Sequence, residues 1–260
     1  MIGIFDSGMG GLTVLKAIRE EMPSIDVLYF GDTGNAPYGS KSREEISKLT
    51  IQAIQILRTR GARSIVSACN SVSASMTVSL FDTFALSSDY LIEMVGPTVS
   101  YFRESSARIL LCATPATIKS SMYQDGFEMI GKDVETFAIP DLAGAIERGD
   151  SDEELERIIQ ISLQSIMLAD FDVLILACTH YPLATHLFQK VLKELSPKET
   201  LHIFDPAIAV AERVKKQLWP RETADGKMTF LLSQDSEPFR EYATKLFSGS
   251  AYTIEVLKTI

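Results

Sequence analysis

The chain has 260 residues, 46% hydrophobic, 23% charged and 8% aromatic. That composition excludes disordered, collagen-like and coiled-coil chains, and the length lets one or two domains bury a core without disulfides. A formal net charge of −9 argues against a nucleic-acid backbone or an anionic membrane as the main partner, though not against a small anion held by local donors.

In chain order the pattern is strand, turn, helix, repeated. Apolar runs at Ile2–Phe5, Val27–Phe30, Ser64–Ser67, Arg108–Leu111, Val134–Ile139, Asp172–Leu176, Thr200–Phe204 and Met228–Leu232 each end in small or polar residues. Runs of four to six without alternation suit strands buried on both faces. Between them lie amphipathic segments. Ser42-Arg43-Glu44-Glu45 reads as a capping box ahead of Ile46, Leu49, Ala53, Ile54 and Leu57, with Gly61 closing that helix. Ser151-Asp152-Glu153-Glu154 reads as a second box ahead of Leu155, Ile158, Ile159 and Ile166. Alternating strands and helices predict an α/β fold with mostly parallel sheets. An internal echo, Ile65-Val66-Ser67-Ala68-Cys69-Asn70-Ser71 against Leu174-Ile175-Leu176-Ala177-Cys178-Thr179-His180, predicts two similar lobes, each offering a thiol from a strand end.

Three cysteines, Cys69, Cys112 and Cys178, form no CxxC pair. They make no disulfide framework and suit a reducing cytosol. Met1-Ile2-Gly3-Ile4-Phe5-Asp6 carries no basic segment before a long apolar stretch, so no signal peptide is expected. Runs such as Val173–Cys178 are too short to span a bilayer.

Parallel sheets bind ligands at the carboxyl ends of their strands. Those ends carry Asp6, Ser7, Asp32, Cys69, Asn70, Ser71, Thr114, Thr117, Cys178, Thr179 and His180, a set able to hold a carboxylate and an ammonium together. A lone cysteine at a strand end is usually a small buried hydrophobe, and Cys112, inside Leu110-Leu111-Cys112-Ala113, is read as core. Two thiols in the same local frame, each where a strand hands over to a helix, are a different matter. Thiols titrate close enough to neutrality for acid–base work, the more so beside helix N-termini. One thiolate and one thiol on opposite faces of a substrate carbon make a two-base arrangement that inverts a stereocentre without a cofactor.

Asp6-Ser7-Gly8-Met9-Gly10-Gly11 is no dinucleotide fingerprint, because Thr13 stands where the third glycine belongs. Its glycines are expected to allow close packing and positive φ beside a site. Tyr38 is either a solvated loop residue or a wall of the pocket. His180 could tune the Cys178 thiol. With only His186 and His202 besides it, no metal site is expected. No strand end carries a lysine for a pyridoxal aldimine, and no cofactor is expected.

Taken together, Phe5-Asp6-Ser7-Gly8-Met9-Gly10-Gly11-Leu12-Thr13, Tyr29-Phe30-Gly31-Asp32-Thr33, Pro37-Tyr38-Gly39, Ala68-Cys69-Asn70-Ser71, Thr114-Pro115-Ala116-Thr117-Ile118 and Ala177-Cys178-Thr179-His180-Tyr181-Pro182-Leu183 closely resemble the glutamate racemases of the aspartate/glutamate racemase family, over essentially the whole chain. The resemblance implies cofactor-independent interconversion of L- and D-glutamate, supplying peptidoglycan in the cytoplasm, by a homodimer with its active site between two α/β lobes. It implies Cys69 and Cys178 as the proton-transfer residues, with Asp6 assisting the first and His180 and Glu147 the second. Substrate contacts would fall to Asp6, Ser7, Tyr38, Gly39, Asn70, Ser71, Thr114, Thr117, Thr179 and His180. The lobes would be residues 1–91 with 204–260, and 92–203. Ser71 replaces a usual threonine, Ala113 a glycine, Ile139 a cysteine, and Gln234 the glycine of a Ser-Gly-Asp. Regulated members carry an N-terminal extension ahead of the first strand, so activation by a cell-wall precursor is not expected. The alternatives are an aspartate racemase, or a weakly active relative with a binding or inhibitory role such as restraint of DNA gyrase. The intact Cys69, Cys178, Asp6 and His180 argue against the latter.

Overall fold

All eight expected strands form, and every ladder between them is parallel. A computed structural model describes residues 1–73, 91–196, 201–218 and 224–258, so Thr200, at the start of one expected strand, lies outside the described residues. The strands are β1 (Ile2–Asp6), β2 (Val27–Gly31), β3 (Ser64–Ser67), β4 (Leu91–Ile92), β5 (Ile109–Ala113), β6 (Val134–Ala138), β7 (Val173–Ala177), β8 (His202–Phe204), β9 (Met228–Leu232) and β10 (Tyr252–Val256). They form a six-stranded sheet, order β10-β9-β2-β1-β3-β4, and a four-stranded sheet, order β6-β5-β7-β8. The winding direction reverses at β1, flanked by β2 and β3, and again at β5, flanked by β6 and β7. Each reversal opens a crevice beyond the strand ends, where such sheets bind ligands. Cys69 follows β3 and Cys178 follows β7, so the sequence echo corresponds to equivalent places in the two sheets.

Two strands escape a reading based on unbroken apolar runs. β4 is two residues long, and β10 is a half-exposed edge strand. A third expectation needs correction. Val134–Ala138 is not buried on both faces, because β6 is an edge strand bonded only to β5 and its side chains are half-buried or exposed.

Helix Arg43–Thr59 begins with the full capping box: Glu45 N donates to Ser42 Oγ and Ser42 N to Glu45 Oε2. Gly61 ends it with φ +93°, while Gly61 N and Ala62 N bond back to Arg58 O and Leu57 O, a left-handed stop that glycine adopts without strain. Helix Asp152–Leu163 has only half its box. Ser151 accepts from Glu154 N, but the Glu154 carboxylate turns to Arg157 at 2.8 and 2.6 Å. Ile166 lies past that helix and packs against the core from outside it.

One apolar cluster runs through both sheets, from Ile4, Tyr29 and Phe230 to Leu110, Leu174 and Leu176. Phe230 sits edge-on to Tyr29 and to Phe239 at 5.9 and 5.7 Å. A continuous core of this kind presents the two strand-end crevices to each other.

Candidate active site

The turn after β1 is built around a buried carboxylate. Asp6 Oδ2 accepts the amides of Gly8 at 3.1 Å and Gly11 at 3.0 Å. Burial raises the Asp6 carboxyl above its usual range, opposed by His180 and those two amides. The turn's glycines serve close approach alone. Gly8, Gly10 and Gly11 are absent from the residues with positive φ, which corrects half of the expectation. A Cβ on Gly8 would collide with the Glu147 carboxylate, and one on Gly10 would lie 2.6 Å from Thr179 Oγ1 and 2.7 Å from His180 Nδ1. The two lobes therefore touch across bare backbone. Gly39 repeats the device, with its missing Cβ 2.6 Å from Thr114 Cγ2.

Tyr38 is a wall, not a solvated loop residue. It is buried, and its hydroxyl donates to Asp32 Oδ2 at 2.6 Å, while Asn35 Nδ2 donates to both Asp32 oxygens. Cys69 precedes a helix whose described part is Asn70–Ser73, and its Sγ lies 3.8 Å from Ser7 Oγ. Burial pushes this thiol up to about 12, with the nearby Asp6 charge adding to the effect. The amide of Val72 at the start of that helix opposes this desolvation without offsetting it, so the expected lowering at a helix start is not realised at Cys69. The hydroxyls of Ser71, Thr114 and Thr117 form a triangle with sides of 3.0, 3.1 and 3.4 Å, and Thr114 caps helix Pro115–Lys119.

From the other sheet come Cys178, Thr179 and His180. Thr179 Oγ1 donates to Asp6 Oδ1 at 3.2 Å, tying the second lobe to the carboxylate of the first. His180 Nδ1 is 4.0 Å from Cys178 Sγ, and Nε2 is 2.5 Å from Glu147 Oε2. Glu147, on helix Leu142–Arg148, also accepts Met9 N at 3.1 Å. Burial alone would pull the imidazole down. Hydrogen bonds to Cys178 and Glu147, and the Glu147 charge, outweigh it and raise His180 well above its ordinary value.

A histidine raised in the folded state adds stability that is complete below its unfolded value near 6.5 and fades as pH climbs through the folded value. Glu147→Gln removes the charge that does most to hold the proton. We expect it to lower unfolding free energy by about 3 kcal/mol between pH 5 and 6.5, the scale for breaking a buried pair, with the deficit shrinking at higher pH. Urea unfolding from pH 5 upward through the alkaline side of neutrality measures it, and a deficit that grows with pH would contradict the assignment.

Ser7, Pro37, Tyr38, Gly39, Cys69, Asn70, Ser71, Thr114, Ala143, Cys178, Thr179 and His180 line one small cavity. It leaves only about 10 Å³ for the centres of water-sized molecules, room for roughly one water. Both expected thiols open onto it. Asp6, Glu147 and Thr117 stand behind the lining and contact it through Thr179, His180 and Ser71. Pro37 and Ala143 line the cavity unannounced by any motif chemistry. Cys112 is buried in β5 with Sγ 3.6 Å from Ile175 O and does not line the cavity. A larger groove, about 800 Å³, lies between helix Arg43–Thr59 and β10. It is an open surface trough in which Arg60 and Glu255 bind each other at 2.8 and 2.7 Å, and no thiol or imidazole lines it. Among the described residues, no three His, Cys, Asp or Glu are grouped to hold a metal ion, and no helix is long and apolar enough to cross a membrane.

Residues 12–214 match the family described as Asp/Glu/Hydantoin racemase. The chain is 33% identical over 252 residues to a glutamate racemase of Thermoanaerobacter sp. (strain X514), covering 94% of this chain and 92% of that one. It superposes on glutamate racemase RacE1 of Bacillus anthracis with a TM-score of 0.84 at 26% identity, covering 99% and 97% of the two chains. On the Francisella tularensis glutamate racemase in complex with D-glutamate the TM-score is 0.82 at 26% identity, again over 99% and 97%. By the match over residues 12–214 and the identity to these relatives, this chain belongs to the Asp/Glu/hydantoin racemase family.

Proposed function

We propose that this protein interconverts L- and D-glutamate without a cofactor, by proton transfer between two cysteines across the substrate Cα. The observation that carries the reading is that Cys69 and Cys178, from different sheets, line one cavity, Cys69 beside the Ser7 hydroxyl and Cys178 beside the His180 imidazole. In one direction a thiolate sulfur takes the Cα proton, and the C–H electron pair stays on a planar carbanion. The opposite thiol gives its proton to the other face. The two sulfurs finish with exchanged protonation states, ready for the reverse reaction. Burial favours Cys69 as the thiol. His180, kept protonated, supplies a cation beside sulfur at Cys178 and a relay for its proton.

Ser7, Gly39, Asn70, Ser71, Thr114 and Thr179 supply the amides and hydroxyls that would hold the carboxylates and the ammonium. The lobes would be residues 1–91 with 204–260, and 92–203. The membership of β1–β3, β9 and β10 in one sheet and β5–β7 in the other supports the division, with β4 and β8 each running across a seam. The family resemblance extends the proposal to a homodimer in the cytoplasm supplying D-glutamate for peptidoglycan.

Purified protein with no added cofactor should abolish the circular-dichroism signal of L-glutamate and, far more slowly, that of L-aspartate. In D₂O the first D-glutamate formed should carry deuterium at Cα while recovered L-glutamate carries little. Equal early labelling of both enantiomers would indicate a single shared base and end the two-base account. Faster turnover of aspartate would reassign the substrate.

A further inference from the structure

The amide of Asn70 is bonded on one side only. Its Oδ1 accepts the Tyr123 hydroxyl proton at 2.5 Å. Its Nδ2 is buried and has no hydrogen-bond partner. Asn70 is 2% exposed and lines the cavity between the thiols. Leaving a buried amide donor unpaired is costly, and native interiors rarely tolerate it without a reason. Tyr123 comes from a distant part of the chain, helix Met122–Met129 of the other lobe, and is 1% exposed. Burial holds its phenol well above the usual range, so the hydroxyl keeps its proton at any working pH.

An asparagine amide can rotate by half a turn and exchange its oxygen and nitrogen at almost no steric cost. The two orientations are opposite in meaning for an anionic ligand. With Nδ2 toward the cavity, two N–H bonds meet a carboxylate. With Oδ1 toward it, a lone pair meets the same negative oxygen. Something must choose between them. A phenol can donate or accept, and here the Tyr123 hydroxyl donates to Oδ1, which fixes the oxygen on the Tyr123 side and leaves the NH₂ group on the other. We propose that Tyr123 is a positioning residue that locks the Asn70 side chain with its NH₂ group toward the substrate carboxylate. It acts through Asn70 and touches no reacting atom. The inference rests on the racemase reading for its substrate, while the lock itself is a property of the free protein.

Tyr123→Phe keeps the ring and removes only the hydroxyl. In the free protein the Asn70 side-chain NH₂ is expected to be rigid by ¹⁵N relaxation in the wild type and mobile, or split between two orientations, in Tyr123→Phe. An amide equally ordered in both overturns the proposal without reference to any substrate. With glutamate, KM is expected to rise about ten-fold, the worth of one hydrogen bond to a charged group, while kcat stays within about three-fold. In an Asn70→Ala background the Tyr123→Phe change should raise KM no further. A KM unchanged by Tyr123→Phe, or an increase that persists in full without Asn70, refutes the lock. If the wild type turns over no glutamate, the racemase reading fails on its own, and the relaxation measurement still decides the proposal.

Discussion

Cys69→Ser and Cys178→Ser should each lose racemisation by about 10³- to 10⁴-fold in kcat, the upper part of the range for removing a positioned acid–base group. Serine matches cysteine in shape, so the cavity wall survives and the loss reports chemistry. A hydroxyl is a far weaker acid than a thiol and cannot supply the sulfur anion. The pair of variants also makes a sharper statement than loss of turnover. In each, one thiol remains on one face of Cα. That thiol can still remove a proton from the enantiomer that presents it and return a deuteron from solvent to the same face. Cys69→Ser and Cys178→Ser should therefore wash deuterium into opposite enantiomers of glutamate without inverting either. Wash-in to the same enantiomer by both, or full racemisation by either, would mean that the sulfurs do not flank the carbon. Cys112→Ser, altered inside β5 away from the cavity lining, should keep its activity per folded molecule.

Gly10→Ala should be nearly as damaging, although it adds one methyl group to a residue that does no chemistry. Gly10 has no positive φ, so alanine is conformationally acceptable and the effect is steric. The new Cβ would lie 2.6 Å from Thr179 Oγ1, 2.7 Å from His180 Nδ1 and 2.8 Å from His180 N. The last of these is backbone and cannot rotate away. The lobes must separate slightly, loosening the Thr179–Asp6 bond and the His180–Cys178 contact together. A misplacement near 1 Å costs on the order of 100-fold in rate, and overpacking costs about 1–3 kcal/mol in stability. Gly61→Ala is the matched control. Its φ of +93° makes alanine strained, at about 1–2 kcal/mol, but the position is remote from the cavity. Parallel assays and urea melts should show Gly10→Ala losing mainly activity and Gly61→Ala only stability. A fully active Gly10→Ala would show that the lobes tolerate separation and that this contact does not set the site geometry.

The features legible in the sequence are those encoded over a few adjacent residues. A strand buried on both faces leaves an unbroken apolar run, so eight strands and their parallel pairing could be read. The Ala-Cys echo survives as a local string, and it located two thiols at equivalent strand ends. Contacts between distant segments leave no such trace. The Tyr123–Asn70 bond joins residues 53 apart, and nothing around Tyr123 distinguishes it from a core tyrosine. Pro37 and Ala143 line the cavity through shape alone. Glu147 was reached through family resemblance, and the structure adds its contact with His180. The glycines after β1 show as a string in the sequence, but their reason does not: none has a positive φ, and what they make room for is the opposite lobe.

The smallness of the cavity has a consequence for traffic. A space with room for about one water is more than an order of magnitude below the several hundred cubic ångströms of ordinary ligand pockets. An amino acid therefore fits beside the thiols only if the walls of the cavity move apart, and the bare-backbone contacts Gly10–His180 and Gly39–Thr114 are places where the two lobes press closely together. Both mirror-image forms use that doorway, one as cargo arriving and the other as cargo leaving. A change that only stiffens the doorway taxes passage both ways and leaves the final balance of the two hands where it was.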